Sequence, residues 1–226
     1  MTSNQQIISD LRLAMDMHQH LDLMVIYKGV PVISKAEIKD IQGDIVTMIT
    51  HDPGLVCLRT SPQTSILGSD YFEPSAAKIQ KVEIQSGEVV LDEFTYLGTR
   101  LGERMIIRVE PAAPIPLKLE FEDQAIDGEL VDISLSGAGV RIPSEKYTPL
   151  LKPGAVIQIK FELPNGAISI SGTVLSGTRN VDLYRLSVRF GQNGEQKERI
   201  FRYMVDRRAQ IEQELRTEYE KAKGEA

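Results

Sequence analysis

The chain has 226 residues, 42% hydrophobic and 26% charged, a composition typical of a globular protein with one large or two small domains. Its formal net charge of −6 argues against general binding of DNA or RNA, because such binding needs many lysine and arginine contacts to phosphate. A local basic site is still compatible with this overall charge.

The sequence also indicates where the protein works. Its single cysteine, Cys57, excludes an intramolecular disulfide and fits a reducing cytoplasm. The first twenty residues lack the basic start and apolar core of a signal peptide, and no apolar run approaches the roughly 18 residues that span a bilayer. His18 and His20 have no cluster of acids or cysteines to complete a metal site. We therefore expect a cytoplasmic protein with no membrane insertion and no metal.

The first part of the chain predicts a short helix and then a series of strands. Residues 4–19 form the helix pattern, with Ile7, Ile8, Leu11 and Met15 on one face. Short runs separated by turn residues follow: "LDLMVIY", "PVISKAEIKDI", "DIVTMIT", "GLVCLRT", "TSILGS", "AKIQKVEI" and "EVVLDEFTY". The run around Cys57 is among them and predicts a buried strand. So many short strands favour an all-β barrel or sandwich.

A second strand series begins near residue 104: "RMIIRVE", "IPLKLEFE", "AIDGELVDISLSGAGVRI", "AVIQIKFELP", "AISISGTVLSGTR" and "LYRLSVRFG". The glycine-containing segment between the two series breaks the alternation and predicts a linker. We therefore expect a first domain at residues 1–95, a linker at 96–103 and a second domain at 104–226.

The end of the chain, from about Glu195 to Lys223, predicts a helix. Ile200, Met204, Ile211, Leu215 and Tyr219 recur at three- to four-residue spacing along one face. Two interpretations remain open for this apolar stripe. The helix either docks on its own barrel or serves as a dimerisation or partner helix.

Two arginines open the second series in a pattern that suits an anion. Arg104 and Arg108 are four residues apart, so in an extended chain their side chains point the same way. A guanidinium group binds phosphate with two parallel hydrogen bonds and stacks on bases. Arg100, in the linker, is a third candidate cation.

The stretch "DISLSGAGV" supplies complementary groups. Asp132 and Ser134 share one face of the strand, and Ile133 and Leu135 are then expected to face the core. An aspartate can accept hydrogen bonds from guanine N–H groups, and a serine hydroxyl can donate to phosphate. Gly137 lacks a side chain, so a flat ligand could approach the backbone there. The combination favours an anionic guanine nucleotide.

These two stretches together resemble the signature of the PilZ domain family, bacterial receptors for cyclic di-GMP. The family pattern is Arg-x-x-x-Arg followed by Asp or Asn-x-Ser-x-x-Gly. Five positions match it in order: Arg104, Arg108, Asp132, Ser134 and Gly137. The likeness covers about residues 100–215. It implies a non-enzymatic receptor, with cyclic di-GMP as its ligand and no other cofactor.

One position departs from the family pattern. Many members carry another arginine directly before the arginine pair, where it helps to hold a second, stacked ligand. This chain has Glu103 there, and a carboxylate would repel phosphate. We therefore expect one cyclic di-GMP per chain, unless Arg100 substitutes.

The first strand series is similar in layout to the barrel that precedes PilZ in flagellar-brake-type proteins. The resemblance implies a mainly β protein with two small barrels in tandem, a split barrel followed by a PilZ-type antiparallel barrel. It also implies a signalling role in motility or surface attachment, acting through a protein partner in the flagellar motor or the biofilm machinery. The alternative is a ligand-independent PilZ-type scaffold that acts only by protein contacts, and a homodimer is left open.

Overall fold

In the computed structural model, the residues described are 3–68, 72–98, 107–146, 151–192 and 194–224. The protein is mainly β and forms two closed six-stranded antiparallel barrels in tandem, with a short N-terminal helix and a longer C-terminal one. This confirms the predicted fold class. No helix within the described ranges is long and apolar enough to cross a membrane.

The chain divides into two compact units. The first unit comprises Met1–Ile106 and Ile211–Ala226, and the second comprises Ile107–Gln210. Each unit contains one barrel, and the last part of the C-terminal helix therefore groups with the first barrel.

The first barrel has the strand order β1-β2-β3-β6-β5-β4. Its helices and strands are α1 (Ser3–Asp16), β1 (His20–Tyr27), β2 (Val30–Gln42), β3 (Ile45–Ile49), α2 (Leu55–Thr60), β4 (Gln63–Leu67), β5 (Ser75–Glu83) and β6 (Glu88–Tyr96). Alternation along the strands fills its interior, as with the buried Leu21, Leu23 and Val25 of β1. The predicted N-terminal helix is confirmed, and its Ile7 and Leu11 are buried.

The segment around Cys57 is a helix, so the prediction of a strand there is wrong. α2 follows a turn in which the Asp52 carboxylate accepts a hydrogen bond from the Gly54 amide at 2.7 Å. Four successive side chains, Leu55 to Leu58, are all buried. A short apolar run buried on every side has no polar face, so its periodicity cannot distinguish a helix from a strand.

The second barrel has the strand order β10-β11-β12-β9-β8-β7. Its strands are β7 (Ile115–Phe121), β8 (Gln124–Ser134), β9 (Gly137–Pro143), β10 (Val156–Leu163), β11 (Gly166–Asn180) and β12 (Leu183–Phe190), with a 3₁₀ turn at Ser144–Lys146. In the described part of the arginine-rich start of this series, from residue 107 onward, Val109 forms an isolated bridge with Ile133.

β8 and β9 form a hairpin whose two turn residues are Leu135 and Ser136. Ile133 is fully buried, as predicted. The prediction that Leu135 also faces the core is wrong, because the strand ends one residue earlier and 40% of Leu135 is exposed at the turn.

The C-terminal helix α3 (Gly194–Gly224) confirms the predicted helix, and all five residues of its apolar stripe are buried. Its last part is tied to the first barrel by an ion pair between Lys28 Nζ and Glu214 Oε2 at 2.6 Å. Gln85 Nε2 also donates to the Ala222 and Lys223 carbonyls at 3.1 Å. Docking within one chain thus accounts for the stripe.

We expect Leu215→Ala to lower the free energy of unfolding by about 2–5 kcal/mol, because it leaves a cavity in a buried contact of the first unit. Urea denaturation followed by circular dichroism measures the change. Glu220→Ala, at an exposed position on the same helix, is the matched control and should change stability by less than about 0.5 kcal/mol. Equal effects of the two substitutions would contradict the docked helix.

Burial, together with the negative charges of Glu218 and Asp52, raises the pKa of the Cys57 thiol to about 12. Because the thiolate is the reactive form, we expect no labelling of the folded protein by a thiol reagent at pH 8. Labelling should appear only as urea unfolds the first unit. Rapid labelling without denaturant would contradict the placement of α2.

Candidate functional site

The second barrel holds one buried carboxylate between two arginines. Asp132 Oδ1 accepts hydrogen bonds from Arg108 Nη1 at 3.0 Å and from the Gly139 amide at 3.1 Å, and Asp132 Oδ2 accepts one from Arg185 Nη2 at 2.6 Å. Only 8% of the Asp132 side chain is exposed, against 44% for Arg108 and 57% for Arg185. A buried carboxylate needs such partners, because leaving it unpaired away from water is costly.

The local backbone explains how this carboxylate reaches its partners. The register of β8 against β9 shifts between Leu130 and Asp132, which marks a bulge that redirects the strand. Gly139 provides the space, since a Cβ atom there would lie 2.5 Å from Asp132 Oδ2. The glycine is therefore required because the protein's own carboxylate occupies that space.

Ser134 and Gly137 close the hairpin. The Ser134 hydroxyl donates to the Gly137 carbonyl and accepts from the Gly137 amide, both at 3.1 Å, and it is fully buried. A Cβ atom on Gly137 would lie 2.1 Å from the Val188 carbonyl oxygen, so only glycine lets β9 approach β12 this closely. In this structure both residues hold the turn in place.

The segment that carries Arg108 is fixed on both sides. Val109 and Ile133 exchange two backbone hydrogen bonds, at 2.9 and 3.0 Å, which pin this segment beside β8. On its other side, the buried Arg207 of α3 donates from Nε to the Glu110 carbonyl at 2.8 Å. These contacts place the Arg108 guanidinium next to Asp132, although the described residues 107–110 form no regular strand.

Strand pairing brings further charged residues onto the same face. Residues that pair across β8, β9 and β12, one from each strand, form three rows on this face: Ser134–Gly137–Arg189, Asp132–Gly139–Ser187 and Glu129–Arg141–Arg185. Arg141 lies 3.9 Å from Glu129. The arginines outnumber the carboxylates here, so the face is locally cationic on an acidic chain and suits an anionic ligand.

Of the six predicted site residues, the structure brings four together: Arg108, Asp132, Ser134 and Gly137. Arg100 and Arg104 lie outside the described residues, as does Glu103. No cluster of histidine, cysteine or carboxylate side chains in the described ranges could hold a metal ion.

Arg185 and Arg189 were not among the predicted site residues. The signal was present in "LYRLSVRFG", where the alternation places both arginines and Ser187 on the polar face of a strand whose Leu186 and Val188 point inward. The sequence alone does not show that β12 pairs with β9, and this pairing is what places both arginines near Asp132.

We expect Gly137→Ala to destabilise the second unit by about 1–3 kcal/mol, because its new methyl group would overlap a backbone carbonyl that cannot rotate away. Gly194→Ala is the control, since nothing lies within 4 Å of its Cβ position. Thermal unfolding compares the two variants. A stability loss in Gly194→Ala as large as that in Gly137→Ala would contradict the close approach of β9 and β12.

The chain is similar to a curated protein, to several solved structures and to one protein-family model. An uncharacterised protein of Aquifex aeolicus (strain VF5) is 27% identical over 140 residues, which cover 62% of this chain and 66% of that protein. Among solved structures, the complex of Klebsiella MrkH with cyclic di-GMP is 14% identical, with a TM-score of 0.48, and the match covers 95% of this chain and 98% of MrkH. Escherichia coli YcgR in complex with cyclic di-GMP is 16% identical, with a TM-score of 0.43, covering 96% of this chain and 94% of YcgR.

The PilZ domain family model matches residues 99–206. That range includes both halves of the predicted signature and the whole face formed by β8, β9 and β12. The chain therefore contains a PilZ domain.

Proposed function

We propose that this protein is a receptor for cyclic di-GMP and that the ligand binds on the face around Asp132. The observation that carries the proposal is the pairing of Asp132 with Arg108 across 24 residues of sequence, at 3.0 Å. It joins the two halves of the PilZ signature within the domain that the family match identifies. The ligand has two phosphate diesters and two guanine bases, which suit guanidinium and carboxylate partners respectively.

In the proposed mechanism, Arg108 exchanges partners when the ligand arrives. Its side chain is 44% exposed, so it can turn from Asp132 towards a phosphate or a guanine edge. Asp132 then has an acceptor position for guanine N–H groups, while Arg185 still balances its charge. Arg104, and Arg100 from the linker, would grip the remaining phosphate.

The proposed stoichiometry is one cyclic di-GMP per chain. The basis is the carboxylate of Glu103, which stands where a further arginine would be needed to hold a second stacked molecule. Repulsion between that carboxylate and phosphate disfavours a second ligand.

The proposed output is a change in the arrangement of the two domains that regulates motility or surface behaviour through a protein partner. Residues 96–103 are the proposed linker, with the first domain before it and the PilZ domain after it. A ligand that binds one arrangement better than another shifts the equilibrium by that difference in affinity. Binding to both sides of the linker would provide such a difference.

Isothermal titration calorimetry with cyclic di-GMP tests the proposal. We expect saturable binding with one ligand per chain, and at least tenfold weaker binding for Arg108→Ala, because a charge-assisted hydrogen bond contributes about 1.5–3 kcal/mol. Arg202→Ala is the control, since Arg202 is an exposed arginine of α3 paired with Glu198. It should bind as the unmodified chain does.

Three results would contradict parts of the proposal. No binding to the unmodified chain would favour the ligand-independent scaffold. Undiminished binding by Arg108→Ala would remove Arg108 from the site. Two ligands per chain would show that Glu103 does not limit the stoichiometry.

A further inference from the structure

β12 presents two arginines on the same face as Asp132. Arg185, Ser187 and Arg189 alternate with the buried Leu186 and Val188, so their side chains project outward. The two arginines are four residues apart, and they pair in register with Arg141 and Gly137 of β9. Neither arginine belongs to the two sequence stretches that predicted the site.

Arg185 of β12 lies directly opposite Arg141 of β9, which carries the same charge. Directly opposed like charges destabilise a sheet unless an anion lies between or beside them. Asp132 is that anion for Arg185, at 2.6 Å, and Glu129 lies beside Arg141. The Arg185 contact fixes one carboxylate oxygen of Asp132 and leaves the other for Arg108.

Arg189 lies at the other end of the face. It is exposed, and the described part of the chain gives its side chain no ion pair or hydrogen bond. It stands in the row of Ser134 and Gly137, where the serine hydroxyl is already bonded to the backbone. An anion near the hairpin therefore finds a free guanidinium in Arg189 and a buried hydroxyl in Ser134.

We propose that β12 forms a third side of the ligand site, in which Arg189 binds a phosphate of the ligand and Arg185 positions Asp132. The proposal rests on the proposed binding of cyclic di-GMP. It extends the footprint from the hairpin of β8 and β9 across the neighbouring strand. It also assigns Ser134 to holding the turn, with the phosphate contact made by Arg189.

Titration of Arg189 variants with cyclic di-GMP tests the first part. We expect Arg189→Gln to weaken binding about tenfold and Arg189→Lys to restore most of the loss, because lysine keeps the charge. The affinity of Arg189→Gln should also fall less steeply as KCl is raised, since one screened charge contact is missing. Arg202→Gln, on α3, is the matched control and should leave both affinity and salt dependence unchanged.

A double-mutant cycle tests Arg185. If Arg185 acts through Asp132, Arg185→Met should weaken binding when Asp132 is present. It should have little further effect in a chain that also carries Asp132→Asn. Thermal unfolding of each variant shows whether the barrel is intact. A purely structural role would weaken binding in proportion to lost stability, with or without Asp132.

The outcomes separate this inference from the proposed function. If the unmodified chain does not bind cyclic di-GMP, the proposed function fails and the inference fails with it. If the unmodified chain binds and Arg108→Ala does not, the function stands. In that case, an Arg189→Gln variant with unchanged affinity and salt dependence overturns the phosphate contact, and additive effects of Arg185→Met and Asp132→Asn overturn the positioning role.

Discussion

The buried Asp132 carboxylate is the constraint on which the site depends. Removing one partner from a buried ionic group costs about 3–5 kcal/mol, because the remaining charge loses its compensation. Here the compensation comes from Arg108, from Arg185 and from a backbone amide of β9. Three separate parts of the sequence are therefore held in one arrangement by a single side chain.

The surrounding structure prepares the position of that side chain. The bulge in β8 redirects Asp132, Gly139 leaves room for the carboxylate, and Gly137 allows β9 and β12 to approach closely. The site can thus be cationic although the whole chain carries a net charge of −6. An acidic chain with a local group of arginines suits a small anion better than a long polyanion.

The buried Arg207 links this site to the C-terminal helix. Its Nε donates to the carbonyl two residues beyond Arg108, so this hydrogen bond joins that segment to the helix. The same helix ends among residues that group with the first barrel. Arg108 therefore has a covalent and hydrogen-bonded connection to α3.

Local patterns predicted most of the fold, because alternation and turn residues are properties of neighbouring positions. The prediction of a strand around Cys57 was wrong because complete burial removes the polar face that distinguishes a helix from a strand. The prediction that Leu135 faces the core was wrong because a two-residue turn interrupts the alternation, with no glycine or proline at either turn position to mark it. The signature predicted that Arg108 and Asp132 belong to one ligand site, but it did not predict that they pair with each other. The contribution of β12 depends on which strands become neighbours, and a single sequence does not show that.

The central claim is that cyclic di-GMP binds where β8, β9 and β12 meet beside Arg108. The most direct measurement is a two-dimensional amide NMR titration of the full chain with cyclic di-GMP. We predict the largest shifts at the backbone amides of Arg108, Gly137, Gly139 and residues 187–189, with saturation at one ligand per chain. Shifts confined to the first barrel, or no shifts on this face at saturating ligand, would contradict it.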